Sequence, residues 1–231
     1  MKLPGPLTAG TLVKRYKRFL ADVVLNDGSL VTAHCPNSGT MKTCSAPGSP
    51  VLLSPALDPG RRTRWTWELI FSDGVWIGTN TLLPNRLVEK ALRQGGLPEF
   101  GGWEFVRREV PLGQRSRIDF LLQRQERLCY VEVKNVTMVV DGVACFPDAV
   151  TARGAKHLRK LQDAAAEGHR ACMLYLIQRG DGRRFRPAEE IDPDYSRLLR
   201  VAAGSGVEVI AYRAEVSTAE VALAERVPAD L

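Results

Sequence analysis

The sequence has no run approaching the roughly 20 apolar residues that a membrane-spanning helix needs, and its opening stretch, MKLPGPLTAG, lacks the apolar core of an export signal. It has no C-x-x-C pair. Its five cysteines, Cys35, Cys44, Cys129, Cys145 and Cys172, are odd in number, and Cys129 and Cys172 sit inside apolar runs, so they read as reduced thiols packed as small hydrophobes. Histidines are scarce, and neither His34 nor His169 stands at ligand spacing from a cysteine, which argues against zinc. Internal repeats and low-complexity tracts are also missing. These absences leave a soluble, cytoplasmic chain with no membrane partner. At 231 residues it is long enough for one large domain or two modest ones.

What is present begins with charge. Lys and Arg outnumber Asp and Glu by 32 to 26, and residues 1–80 alone carry nine basic against five acidic groups. Such a surplus suits a polyanion such as nucleic acid, although it also serves solubility. The rhythm of the chain changes near residue 82. Before it lie short strand-like runs, "RFLADVVLN", "SLVTAHC", "VLLSPAL", "RWTWELIFS" and "VWIGTNT", with Asp27-Gly28 and Asp73-Gly74 as hairpin turns. Beyond it the order reads αβββαβαβ. "LPNRLVEKALRQGG" has helical spacing, three strands follow, and a second helix starts at the capping candidates Asp148 and Thr151 and closes at Gly168. "ACMLYLIQ" then reads as a strand buried on both faces. The expected division is 1–81, a small β domain, and 82–231, a mixed α/β domain.

The stretch "RIDFLLQRQERLCYVEVKNVT" places charges where a buried hairpin favours valine. Strand alternation puts Glu132 and Lys134 on one face. A tight turn at Gln125-Glu126 sets Asp119 directly across from Glu132, and a longer loop makes them diagonal neighbours. Either register gathers both carboxylates and the ammonium. Two carboxylates in an apolar setting repel unless a cation, a proton or the lysine compensates them. Mg²⁺ or Mn²⁺ does this well and bridges protein to phosphate, while the lysine can steady charge developing on phosphorus. A solvated hairpin face with an ordinary salt bridge fits the same residues.

Asp119, with Glu132-Val133-Lys134 thirteen residues on, resembles the PD-(D/E)xK nuclease superfamily, Ile118 standing where the superfamily name has proline. From about Leu7 to about Tyr212, the strings "CPNSGTM", "SRIDFLL", "YVEVKNVT" and "FPDAVTARGAKHL" resemble the sugar fermentation stimulation protein A (SfsA) family. The resemblance implies an N-terminal OB-like barrel, a restriction-endonuclease-like αβββαβ domain, and DNA binding. It also implies Asp119 and Glu132 as metal ligands with the Val133 carbonyl a third, and Lys134 as the catalytic lysine. By the same resemblance Glu89 of the first helix joins the metal shell, and Arg153, Lys156 or His157 is contributed by the helix after the E-x-K strand. An ion pair with Arg86 or Arg93 explains Glu89 as well, and helix packing explains His157.

In the N-terminal part, Lys14, Arg15, Lys17 and Arg18 interleave with Tyr16 and Phe19, and Arg61, Arg62 and Arg64 precede Trp65 and Trp67. Basic groups beside aromatic faces suit single-stranded nucleic acid, since every base can stack and every phosphate attracts a cation, and the tryptophans suit the inner face of a barrel as well. Asn37 sits in a tight Pro36–Met41 loop able to present backbone N–H groups to phosphate. No recognition-helix signature is present, so DNA binding without strong sequence preference is expected. Two functions remain open: a Mg²⁺- or Mn²⁺-dependent nuclease, or a non-catalytic DNA-binding regulator of sugar metabolism on the same fold. A dimer is compatible with the sequence, which does not fix an oligomeric state.

Overall fold

The computed structural model describes residues 1–56, 58, 60–112 and 116–231. Leu57, the end of one expected strand, lies outside them. The chain opens with β1 (Thr8–Tyr16), β2 (Leu20–Leu25), β3 (Leu30–His34), β4 (Pro50–Pro55), β5 (Trp65–Ser72) and β6 (Val75–Gly78). These form one sheet in the order β3-β2-β1-β4-β5-β6, and a further pairing of β3 with β5 closes the first five strands into a barrel. Each strand sends alternate apolar residues inward. Leu12, Val23, Leu53, Trp67 and Ile70 are all essentially inaccessible. Gly10 lets β1 lie close against β2, because a Cβ there would lie 2.6 Å from Val23 Cγ1 and 2.7 Å from the Val24 carbonyl oxygen. Trp67 thus belongs to the core, and its indole donates to the Leu69 carbonyl at 2.9 Å.

The second unit comprises α1 (Leu83–Gln94), β7 (Glu104–Pro111), β8 (Arg117–Arg124), β9 (Arg127–Val136), β10 (Met138–Val140), β11 (Val143–Phe146), α2 (Ala152–Ala166), β12 (Arg170–Ile177), β13 (Arg184–Pro187), α3 (Pro193–Gly204), β14 (Val207–Val216) and β15 (Val221–Val227). The main sheet runs β15-β14-β12-β9-β8-β7, with β12 parallel to both β9 and β14. Helix α1 covers one face, and α2 and α3 cover the other. This is why β12 is buried from Ala171 to Ile177 and reads as an unbroken apolar run. The Thr151 hydroxyl caps α2 by accepting from Gly154 N–H at 3.1 Å. Asp148, the other expected cap, turns to the barrel instead: its Oδ2 accepts from Met41 N–H at 3.0 Å. The small β10-β11-β13 sheet was not expected. The molecule is thus an OB barrel followed by a mixed α/β domain.

The two units are joined by strong contacts. Gly78 N–H donates to the Gln178 carbonyl at 2.9 Å. The Arg179 guanidinium, 1% exposed, bonds Asp73 of the barrel, Asp181 and the Thr137 carbonyl. No helix among the described residues is long and apolar enough to cross a membrane.

Candidate active site

β8 and β9 join through a two-residue turn at Gln125-Glu126, with Arg124 paired to Arg127, and the ladder runs to Phe120 opposite Val131. This is the tighter of the two registers the sequence allows. The next pair would be Asp119 with Glu132, and there the ladder stops. Ile118 packs under α2 and α3 whereas Phe120 packs under α1, so the regular alternation of faces breaks at Asp119. On the neighbouring strand Glu109 stands unpaired between Arg108↔Phe120 and Val110↔Ile118, with φ of 50°. The register is the same on either side, so Glu109 lies opposite the equally unpaired Asp119, and its left-handed backbone interrupts the ladder there.

The interruption leaves backbone groups free for side chains. Val133 N–H donates to Asp119 Oδ2 at 2.8 Å, and Asn85 Nδ2 on α1 donates to Asp119 Oδ1 at 2.7 Å. In an extended strand a residue's N–H and C=O point to the same side, so the Val133 carbonyl also faces Asp119. Glu132 is 2% exposed. Its Oε1 accepts from Lys134 Nζ at 2.5 Å and is in contact with His157 Nδ1, while Lys134 Nζ lies 3.2 Å from that same nitrogen. Glu132 Oε2 is buried with no hydrogen-bond partner among the described residues, an arrangement that costs about 1–3 kcal/mol or more unless something fills it.

The two carboxyls are electrostatically unlike. Burial, reinforced by the negative charge of Glu132, pushes the Asp119 carboxyl up to about 7. Burial acts in the same direction on Glu132, but the Lys134 ammonium and the His157 contact outweigh it and hold Glu132 below the usual carboxylate range. The cluster therefore has a charged carboxylate beside one that holds its proton near neutrality. A divalent cation would remove the need for that proton. The donor set of Asp119, the Glu132 Oε2 atom and the Val133 carbonyl is all oxygen, which fits Mg²⁺ or Mn²⁺ and not a thiophilic metal. No three His, Cys, Asp or Glu side chains converge as a metal cage among the described residues, so an ion held here would keep several waters, as Mg²⁺ does.

The other expected residues fall in several places. Glu89 does not join the cluster: its carboxylate pairs with Arg93 at 3.0 Å and Arg108 at 3.1 Å. The α1 residue that reaches Asp119 is Asn85, one helical turn earlier on the same face, where only that helical spacing pointed to it. Arg153, Lys156 and His157 line an open groove of about 800 Å³ beside the cluster, together with Glu109 and Arg117. In the barrel, Lys17, Arg18, Arg62 and Arg64 are exposed. Lys14 lies 3.7 Å from Asp22, to which the Tyr16 hydroxyl donates at 3.0 Å. Arg61 bonds the Thr66 and Thr63 hydroxyls. Arg15 is not displayed for an external anion, because its guanidinium donates to the carbonyls of Asn37, Gly39, Thr40 and Arg18 at 2.7–2.9 Å. Asn37 is buried, and its Oδ1 accepts from Gly39 N–H.

Two family models match this chain, the SfsA N-terminal OB domain over residues 13–79 and the sugar fermentation stimulation protein RE domain over residues 82–220. The sugar fermentation stimulation protein homolog of Pelobacter propionicus is 58% identical over 228 residues, covering 99% of both chains. The homolog of Citrifermentans bemidjiense is 55% identical over the same length, again covering 99% of each. Among solved structures, that of Pyrococcus furiosus SfsA in complex with Ca²⁺ superposes with a TM-score of 0.91 at 25% identity, covering 100% of this chain and 98% of that one. With both of its units matched and relatives aligned along nearly its whole length, the chain belongs to the sugar fermentation stimulation protein (SfsA) family.

Proposed function

We propose that this protein is a metal-dependent nuclease that binds DNA without strong sequence preference, residues 1–81 serving DNA binding and residues 82–231 hydrolysis. The observation that carries the reading is Glu132 Oε2, a buried oxygen of a charged carboxylate without a hydrogen-bond partner among the described residues, beside a second carboxyl that burial raises to about 7. A divalent ion bound by Asp119, Glu132 and the Val133 carbonyl supplies Lewis acidity and neutralises phosphate charge. The Ca²⁺ in the Pyrococcus furiosus relative supports a hard cation on this fold.

The chain's own groups do the rest. Asn85 and Val133 N–H fix the Asp119 carboxylate in orientation. Lys134 is held against Glu132 and His157, where its ammonium orients a water for attack on phosphorus and steadies the charge that develops there. The groove lined by Arg117, Arg153 and Lys156 leads the DNA backbone past that point. Hydrolysis breaks one P–O ester bond of the strand as the water oxygen bonds to phosphorus, giving a phosphate monoester end and a hydroxyl end.

The closed contacts among Glu132, Lys134 and His157 also favour a second reading, a DNA-binding regulator whose charged face is scaffold, in keeping with the name its relatives carry. The experiment that separates the two is incubation of purified protein with labelled single- and double-stranded DNA in Mg²⁺, Mn²⁺ or EDTA. The nuclease reading expects cleavage that EDTA abolishes and that Lys134→Met removes while DNA binding persists. Absence of cleavage under every metal favours the regulator.

A further inference from the structure

Barrel and α/β unit meet at a cleft of about 290 Å³, distinct from the groove beside the Asp119–Glu132–Lys134 cluster. The barrel contributes Arg18 and the Asn37-Ser38-Gly39 loop. The other wall is Asn135, directly after Lys134 in β9, and the loop leading into α2, with Val150, 77% exposed, at its lip. The walls are fixed relative to each other. Arg15 binds three carbonyls of the barrel loop, and Met41 N–H and the Thr40 hydroxyl reach across to Asp148. The approach at Gly39 is so close that a Cβ would lie 2.5 Å from Asp148 Oδ2.

These walls present unspent donors. Asn37 and Asn135 use their side-chain oxygens internally, accepting from Gly39 N–H and from Gln178 Nε2. Their Nδ2 groups, the Ser38 hydroxyl and the Arg18 guanidinium bond nothing among the described residues. The one carboxylate, Asp148, is already engaged by the barrel loop. A pocket so furnished selects a ligand rich in acceptors, such as a phosphate with a nucleobase edge. The turn that carries Arg18 is strained: Lys17 and Arg18 have φ of 49° and 64°, where Gly or Asn would rest easily, and the Arg18 carbonyl is held by Arg15 at 2.8 Å. Beside them Phe19, 50% exposed, offers a face on which a base can stack. The volume lies at the lower limit of small-ligand sites, about 300 Å³, which suits one nucleotide and excludes a duplex.

We propose that this cleft receives one unpaired nucleotide of a DNA strand, held by Arg18, Asn37, Ser38 and Asn135 where β9 runs on past Lys134, so that the protein prefers single-stranded DNA or the unpaired end of a duplex. The inference rests on the nuclease reading and names its substrate form.

Fluorescence anisotropy in EDTA tests it with an oligothymidylate of about twelve nucleotides, within the span of known single-strand sites, a blunt duplex, and the same duplex bearing a thymidine overhang. The single strand and the overhang should bind at least about tenfold tighter than the blunt duplex, a ratio that salt-dependent phosphate attraction alone does not produce. Arg18→Asn combined with Ser38→Ala should bring that ratio close to one, and so should Ser38→Trp, which fills the cleft from an exposed position. Melting temperatures establish that both variants fold. A wild-type ratio near one, or a ratio that both variants leave intact, overturns the inference while the nuclease reading stands. Wild-type protein that binds none of the three DNAs overturns both.

Discussion

Asn85 and Asp119, 34 residues apart in the chain, meet at 2.7 Å, and with Val133 N–H on the other oxygen they leave the Asp119 carboxylate no freedom to turn. A carboxyl fixed on two sides by neutral donors, with burial raising it to about 7, is ready to exchange its proton for a cation without rearranging.

Removing that support should weaken metal binding before it harms the fold. Asn85→Ala is expected to lower Mn²⁺ affinity about 10–100-fold, the usual cost of losing a group that orients a ligand, with a stability loss near 1 kcal/mol. Titration calorimetry and a melting curve read the two effects. Unchanged affinity would mean that Asp119 does not need Asn85 as its holder.

The raised Asp119 carboxyl makes metal-free stability depend on pH in a particular direction. In the folded chain it keeps its proton up to about 7, whereas an unfolded Asp releases it near 4. Between these values the folded state binds the extra proton, so the contribution is fully present below pH 4, falls as pH rises, and is gone above about 7. Its size is on the order of 4 kcal/mol at most. Denaturant unfolding in EDTA should show this decline, and Asp119→Asn should flatten it and be the more stable protein at pH 8. Mn²⁺ affinity should rise over the same interval as the proton leaves. A wild-type profile identical to that of Asp119→Asn would contradict the shift.

How much of this was legible depends on where tertiary structure overrules local pattern. Asp119, Glu132 and Lys134 could be gathered from spacing because a hairpin is a local object and its turn residues were readable. β12 and the Thr151 cap were legible for the same reason. The α1 contribution was not: Asn85 and Glu89 share a helix face, and chemistry alone favoured the carboxylate. Only the docked helix shows that Glu89 meets Arg93 and Arg108. β1 was hidden because Lys14 and Arg15 blur its alternation, and Arg15, read as a surface cation, is a clamp whose partners lie in a loop more than 20 residues away. The β10–β11 hairpin did carry its signal, Asp141-Gly142, both left-handed in the structure.

The basic residues of the barrel should therefore separate by role. Arg15→Met is expected to lower the melting temperature by several degrees, since a partly buried guanidinium serving four carbonyls is lost at roughly 1–3 kcal/mol. Lys17→Asn with Arg18→Asn, which relieves left-handed strain, should not destabilise. It should instead weaken DNA binding and reduce the salt slope by about 0.7–0.9 for each phosphate contact removed. Salt-series anisotropy and thermal melts decide it. Equal melting behaviour in the two variants would remove the distinction.

Whether the Asp119–Glu132–Lys134 cluster hydrolyses phosphodiesters is decided by single-turnover cleavage of labelled DNA in Mn²⁺ by wild type and Lys134→Met, with DNA affinity measured alongside. Lys134→Met should still fold and bind DNA, with some loss of melting temperature because buried Glu132 loses its ammonium, while its cleavage rate falls by a factor of about 10² or more, as when a preorganised charge is withdrawn from the transition state. Wild-type protein that binds DNA but leaves it intact in Mg²⁺ and Mn²⁺, or a Lys134→Met variant that cleaves as fast as wild type, would contradict hydrolysis by the cluster and make the charged face part of the scaffold.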